Sequence, residues 1–140
     1  MAEHRYDIRV YYEDTDAGGI VYHARYLHFA ERARTEALRA LGIPHAEMAR
    51  LHGAFLVVQR ITVEYHRPAR LDDLVTIRTT IRRVSAVLEL DQDVMLGDDV
   101  AAALKVRLVC VGADGLRPRR LPEPWLSALR ARIPVAENAE

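Results

Sequence analysis

The chain has 140 residues, half of them hydrophobic, and its 20 Lys and Arg balance 20 Asp and Glu to a formal net charge of zero. That balance gives no global field to draw the protein onto nucleic acid or an anionic membrane, and no apolar run approaches the ~18 residues of a membrane-spanning helix. A chain of this length buries roughly two-thirds of the surface it exposes when unfolded, so a single domain over residues 1–140 needs neither metal nor disulfide to be stable.

The N-terminus, Met-Ala-Glu-His-Arg-Tyr, has no apolar signal region, and the single cysteine, Cys110, excludes an internal disulfide. Together these features predict a cytoplasmic protein. An alternating run from Tyr6 to Tyr12 reads as the first strand. The next stretch, Asp14-Thr-Asp-Ala-Gly-Gly-Ile-Val-Tyr-His23, sets two carboxylates, a double-glycine turn and a helix start side by side. A carboxylate just upstream of a helix N-terminus can do chemistry while the free backbone N–H groups hold an anionic or polarised oxygen.

From about Ala24 to Leu41 a period of 3.6 puts Tyr26, Leu27, Ala30, Ala33, Ala37, Leu38 and Leu41 on one stripe, ended by Gly42 and Pro44. The alanines let the helix axis lie close to whatever covers it, which suggests a helix cradled by a strongly curved sheet. Pro44 to Leu51 reads as a short helical turn before Gly53. Four strands follow with no helix between them: Ala54 to Tyr65, with Phe55, Val57, Ile61, Val63 and Tyr65 on one face; Leu74 to Ile81; Val84 to Met95; and Val100 to Val111. Turn residues at His66-Arg67-Pro68, Leu71-Asp72-Asp73, Gly97-Asp98-Asp99 and Ala113-Asp114-Gly115 separate them. Beyond these, residues 122–140 read as a short helix over Pro122 to Arg132, anchored by Trp125, Leu126 and Leu129, and a tail. The predicted fold is α+β: one long helix wrapped by a curved antiparallel sheet of about five strands.

Several arginines, namely Arg60, Arg67, Arg70, Arg82, Arg83, Arg117, Arg119 and Arg120, fall near predicted strand ends. There they either gather around a phosphate-bearing ligand or form a solvated basic surface. Cys110 alternates with core valines and leucines and reads as a packing thiol. His28 and His45 read as solvated helix-face residues and His52 as a loop residue.

Arg9-Val10, Thr15-Asp16, Gly19-Ile20-Val21, His23 and Tyr26, at these spacings, resemble the signature of the 4-hydroxybenzoyl-CoA thioesterase family of hotdog-fold proteins. The stretches Val10 to His23, Glu31-Arg-Ala-Arg-Thr-Glu36, Val63-Glu-Tyr and Pro68-Ala-Arg-Leu-Asp-Asp73 are similar to its Tol–Pal-associated, YbgC-type acyl-CoA thioesterases, over about Tyr6 to Pro122. The resemblance implies a single hotdog domain and hydrolysis of an acyl-CoA thioester to the free acid and CoA. By position it gives Asp16 the role of nucleophile or general base, His23 that of an oxyanion donor through its backbone N–H at the helix start, and Tyr12 a hydrogen bond to the carboxylate or the thioester. It further implies no metal or prosthetic group as cofactor, a homotetramer built as a dimer of dimers with sites between subunits, and an association with envelope or cell-division machinery.

The same residues admit other readings. Asp16 could serve only as a turn residue or N-cap. Asp14-Thr15-Asp16 could bind a metal, although no third carboxylate or histidine stands at ligand spacing. A second thioesterase branch of the fold carries its carboxylate on the long helix, which makes Glu31 and Glu36 reserve candidates. On the same fold a dehydratase or hydratase would need a histidine and a carboxylate flanking a C–H bond. A non-catalytic module that binds acyl-CoA or a protein partner is the third class.

Overall fold

The computed structural model describes residues 3–134. Its strands are β1 (Glu3–Arg9), β2 (Ala54–Tyr65), β3 (Leu74–Val84), β4 (Val87–Leu96) and β5 (Asp99–Gly112), and its helices α1 (Arg25–Ala40), α2 (His45–His52) and α3 (Trp125–Arg130). The strands form one sheet in the order β1-β3-β4-β5-β2, and every neighbouring pair is antiparallel. β2 and β1 are therefore the two edges, although β2 comes first among the four consecutive strands. Residues 135–140, the end of the tail, lie outside the described residues.

The inner face of the sheet is apolar because alternate residues point the same way. Val75, Ile77 and Ile81 of β3, Leu88, Leu90 and Val94 of β4, and Leu104, Val106, Leu108 and Cys110 of β5 are all buried. Opposite them, Glu89, Asp91 and Asp93 pair with Arg107, Arg82 and Arg78 on the outer face. The strand pair β3–β4 is longer than the sequence suggests. Its tip is Ser85-Ala86, so Val84 closes β3 instead of opening β4.

α1 lies against this inner face with Tyr26, Phe29, Ala30, Ala33 and Leu38 buried. Ala30 and Ala33 have no exposed surface, as a close helix-to-sheet approach requires. Phe29, not Leu27, belongs to the buried stripe, since Leu27 stands 100° of helical turn away from Tyr26 and is exposed. A polar tie crosses the same contact: the fully buried Gln92 amide donates to the Ala30 carbonyl and to Thr79 Oγ1, both at 3.0 Å, and accepts from Arg34 at 3.0 Å.

β2 departs from simple alternation. A bulge between Val58 and Arg60 switches the face presented, so Leu56 before it and Ile61 and Val63 after it pack on the core. Phe55 and Val57 consequently lie on the other face from Ile61 and Val63, a break that residue type alone does not announce. At the far end of α1, α2 and α3 close the core. Trp125 is buried and its indole N–H donates to the Ile43 carbonyl at 2.9 Å. His45 is no solvated helix residue, because its Nε2 accepts the Leu56 N–H at 3.0 Å.

Candidate active site

Between β1 and α1 the chain runs through a loop held by backbone hydrogen bonds and by the side chains of Asp14, Thr15, Asp16 and Arg25. Val10 N–H donates to the Asp73 carbonyl (2.8 Å) and Val21 N–H to Ala69 (2.8 Å), which fixes the loop to the β2–β3 connection. Inside it, Asp16 N–H donates to Ile20, Gly19 N–H to Asp16 and Tyr22 N–H to Asp14. Gly19 sits at φ +79°, the left-handed region that a glycine enters without a steric cost. Tyr12 belongs to a single 3-10 turn, Tyr12–Asp14, and not to the end of β1 as the alternating pattern suggests.

The two aspartates of the loop have different environments. Asp14 is buried and fully used: Oδ2 accepts the Tyr11 N–H at 2.8 Å and Oδ1 pairs with Arg25 Nε at 2.7 Å. Asp16 is exposed, and one carboxylate oxygen, Oδ1, accepts the Gly18 N–H at 2.8 Å. Among the described residues Asp16 Oδ2 has no hydrogen-bond partner. A Cβ at Gly18 would stand 3.3 Å from Asp16 Oδ1, so glycine there gives the carboxylate its seat.

The start of α1 is open to an anion. Its N-cap is Ala24, which has no side chain to cap the helix, and the first turn carries no acidic residue. Among the described residues the N–H groups of His23 and Ala24 donate to no acceptor, while the aligned peptides place roughly half a positive charge at this end. Arg25, whose charge opposes that dipole, is neutralised by Asp14. Tyr65 of β2 donates its hydroxyl to the His23 carbonyl at 2.8 Å, and burial raises its pKa, so the proton stays on the donor. This contact orients the His23 peptide. The His23 ring packs beside Tyr22 and Tyr65, with centroids 4.6 and 6.4 Å away.

A groove of about 310 Å³ beside Asp16 is lined by Thr15, Tyr22, Ala24, Arg25 and His28, with Glu13 at its edge. The loop thus brings Asp16 to the first turn of α1, but the side chains of His23 and Tyr12 do not line this groove. The Tyr12 ring is 81% exposed and makes no side-chain hydrogen bond among the described residues. His28 is the residue that the sequence undervalues. It lies one helical turn beyond Ala24, and that i to i+4 spacing is the signal that places both on the groove side.

Glu31 and Glu36 do not line the groove, and Glu36 pairs with Arg39 at 2.5 Å. The arginines do not converge on one point. Arg82 and Arg107 are paired on the outer sheet face and Arg67 binds Asp99 at 3.1 Å, while Arg119 donates to the His52 carbonyl. Cys110 is buried, and burial raises its pKa. Among the described residues no three His, Cys, Asp or Glu side chains are placed to hold a metal ion, and no helix is long and apolar enough to cross a membrane.

The sequence profile of the Thioesterase superfamily matches residues 18–103, more than half of the chain. The chain belongs to the thioesterase superfamily. Acyl-CoA thioesterase YbgC of Haemophilus influenzae is 40% identical over 119 residues, covering 84% of this chain and 88% of that protein. Acyl-CoA thioester hydrolase YbgC of Escherichia coli is 44% identical over 121 residues, covering 85% and 90%. Among solved structures, a probable thioesterase from Bartonella henselae superposes with a TM-score of 0.80 at 39% identity, over 86% of this chain and 99% of that one. A 1,4-dihydroxy-2-naphthoyl-CoA thioesterase from Synechocystis gives 0.84 at 22% identity over 91% and 96%, which shows the shared fold. This thioesterase therefore has the hotdog architecture, with a long helix wrapped by a five-stranded antiparallel sheet, and it is an enzyme that hydrolyses thioesters.

Proposed function

We propose that this protein hydrolyses an acyl-CoA thioester to the free acid and CoA, with Asp16 as the reacting carboxylate and the N-terminus of α1 as the oxyanion site. One observation carries the assignment of Asp16: of the two loop aspartates, only Asp16 keeps an oxygen without a partner among the described residues beside the open helix start, while Asp14 is consumed by Tyr11 and Arg25. The thioester carbonyl points its oxygen at the N–H groups of His23 and Ala24. Asp16 then follows one of two courses. As general base it takes a proton from a water that attacks the carbonyl. As nucleophile its oxygen attacks directly, giving a mixed anhydride that water cleaves in a second step. Either way the carbonyl electrons move onto oxygen, are stabilised by the helix N–H groups, and return to expel CoA as a thiolate.

The reading gives Tyr12 a place at the substrate rather than in the fold, since its exposed ring is free to meet a bound thioester or a second copy of the chain. It treats residues 1–140 as one hotdog unit, in keeping with a single hydrophobic cluster that draws on β1, α1, α2, α3 and the other strands. It places two copies edge to edge along β2 and pairs such dimers into a tetramer. The support is an edge strand that exposes Val57, Val58 and Tyr65, next to a loop that exposes Tyr11, Tyr12 and Tyr22. The proposed setting is the cytoplasm, beside the envelope or division machinery, with arginines such as Arg60 and Arg70, whose guanidinium groups have no partner among the described residues, available to CoA phosphates.

The test is thiol release from a panel of aliphatic and aromatic acyl-CoAs, by the wild type and by Asp16→Asn. A loss of ~10²-fold or more in turnover is expected, the scale of removing a positioned base or nucleophile. Equal activity in the two proteins overturns the assignment.

A further inference from the structure

A second cavity, of about 250 Å³, lies between the C-terminal half of α1 and the inner face of the sheet. It shares no lining residue with the groove beside Asp16. At ~1.5 Å per residue, Arg34 on its wall is ~15 Å further along the helix than Ala24. The apolar walls are Leu38 of α1, Ile81, Leu88, Leu90 and Leu108 of the sheet, and Leu129 of α3; Glu3, His4, Arg34 and Arg132 add polar groups, and no Phe, Tyr or Trp lines the space.

Two polar groups on this cavity lack their complements. Arg34 donates one N–H to the neutral Gln92 side chain at 3.0 Å, and among the described residues no carboxylate lies within ion-pair distance of it. Glu3, the carboxylate on the wall, is paired with Arg5 at 2.8 Å, and Glu31 acts on Arg34 only through its charge at a distance. His4, also on the wall, has a buried Nδ1 with no hydrogen-bond partner among the described residues. Burial lowers the pKa of both groups and outweighs the opposing charges of Glu31 on Arg34 and of Glu36 on His4, neither of which is in ion-pair contact. A partly buried guanidinium on an aliphatic cavity is half of an amphipathic binding site, and the missing half is an anion with an alkyl tail. An apolar cavity of ~150 Å³ accepts benzene, so by proportion this one takes about ten carbon atoms.

We propose that this cavity binds an aliphatic monocarboxylate of about eight to ten carbons, its chain among the leucines and its carboxylate on Arg34, with His4 as a second hydrogen-bond donor. The ligand belongs to the class of acids that thioester hydrolysis releases. The site is nevertheless separate from the one that releases them, and its occupancy does not depend on Asp16.

The experiment titrates the full-length protein calorimetrically with octanoate and with 1-octanol, which share a chain length and differ in charge. Octanoate is expected to bind one per chain and 1-octanol at least about ten-fold more weakly, the scale of one charge-assisted hydrogen bond. Arg34→Gln is expected to bring octanoate down to the affinity of the alcohol. Methyl NMR of the wild type is expected to shift Leu88, Leu90 and Leu108 and to leave Ile20 and Val21, beside Asp16, in place. Equal affinity for acid and alcohol overturns the proposal. So does an absence of binding, or shifts confined to the Asp16 loop. The first and last comparisons need only the wild type, so a variant that fails to fold does not rescue the idea.

Discussion

The two ends of α1 are built on opposite principles. At its N-terminus the chain leaves things open: an uncapped first turn, a carboxylate with one free oxygen, and exposed rings at Tyr12 and Tyr22, all held in place by backbone hydrogen bonds of the 14–22 loop. At its C-terminal end the chain closes over an aliphatic space with α3 and leucines of the sheet, and among the described residues leaves Arg34 without an ion-pair partner. A reacting carboxylate needs rigid geometry with access, which hydrogen bonds to a fixed loop supply. A chain-binding cavity needs area and exclusion of water, which side-chain packing supplies. On the proposed reading one sixteen-residue helix serves both because its two ends meet different partners.

The largest expected effect separates the ends outright. Asp16→Asn should lower thiol release by ~10²-fold or more while leaving octanoate affinity unchanged, and Arg34→Gln should do the reverse on affinity. A single variant that moves both readouts would show that the two ends are coupled. Val58→Asp comes next. It places a charge on the exposed stretch of β2, beside the bulge, and should convert the proposed assembly to a smaller species in light scattering, with loss of thiol release if the N-terminal end is completed by a second copy. A charge there that leaves the mass unchanged would exclude β2 as the joining edge.

Asp14→Ala tests how the open end is kept in order. It removes the acceptor for the Tyr11 N–H and the partner of Arg25 at 2.7 Å. The expected cost is about 2–3 kcal/mol of stability in denaturant unfolding, the scale of a charged hydrogen bond lost from a buried site. Gly18→Ala is subtler. The added Cβ meets Asp16 Oδ1 at 3.3 Å, so the carboxylate shifts by a few tenths of an ångström. Turnover should fall several-fold, well short of the ~10² that a full 1 Å misplacement can cost, and stability should hardly change.

Much of this contrast was legible in the sequence, and the reasons differ by element. The long helix, the strands and the segment carrying Asp16 are local patterns, readable from periodicity and from glycines at fixed offsets. The choice of Asp16 over Asp14 rested on the family resemblance, and the structure adds a physical reason in Arg25, a partner eleven residues away that only the folded loop brings near. Contacts across long sequence distance were not legible. Tyr65 holding the His23 carbonyl, Gln92 tying α1 to the sheet and His45 receiving the Leu56 N–H each depend on where strands and helices dock. The bulge in β2 escaped because Val57 and Val58 are as apolar as their buried neighbours, and a one-residue shift changes no composition.

The smallest effect is a pH dependence that should fall on the closed end alone. His45 accepts the N–H of Leu56, a residue on the cavity wall, and it can do so only while Nε2 is unprotonated. Burial lowers its folded-state pKa below the ordinary value of 6.5. The unfolded chain therefore takes up a proton first as pH falls, so the associated stability is complete above about 6.5 and is lost as pH drops through the lower folded-state pKa. His4, shifted in the same direction by burial, adds a contribution of the same sign. The melting temperature should drop by about 2–4 °C across that window, the equivalent of one hydrogen bond worth about 1 kcal/mol. His45→Gln, which retains an acceptor that does not titrate, should remove the part of the slope that belongs to His45. Hydrogen exchange localises the change: the Leu56 amide should lose protection in acid while those of Asp16 and Gly19, bound to backbone carbonyls in the loop, keep theirs. Equal loss at all three would mean that acid loosens the whole fold, and that the two ends of α1 are less independent than their construction suggests.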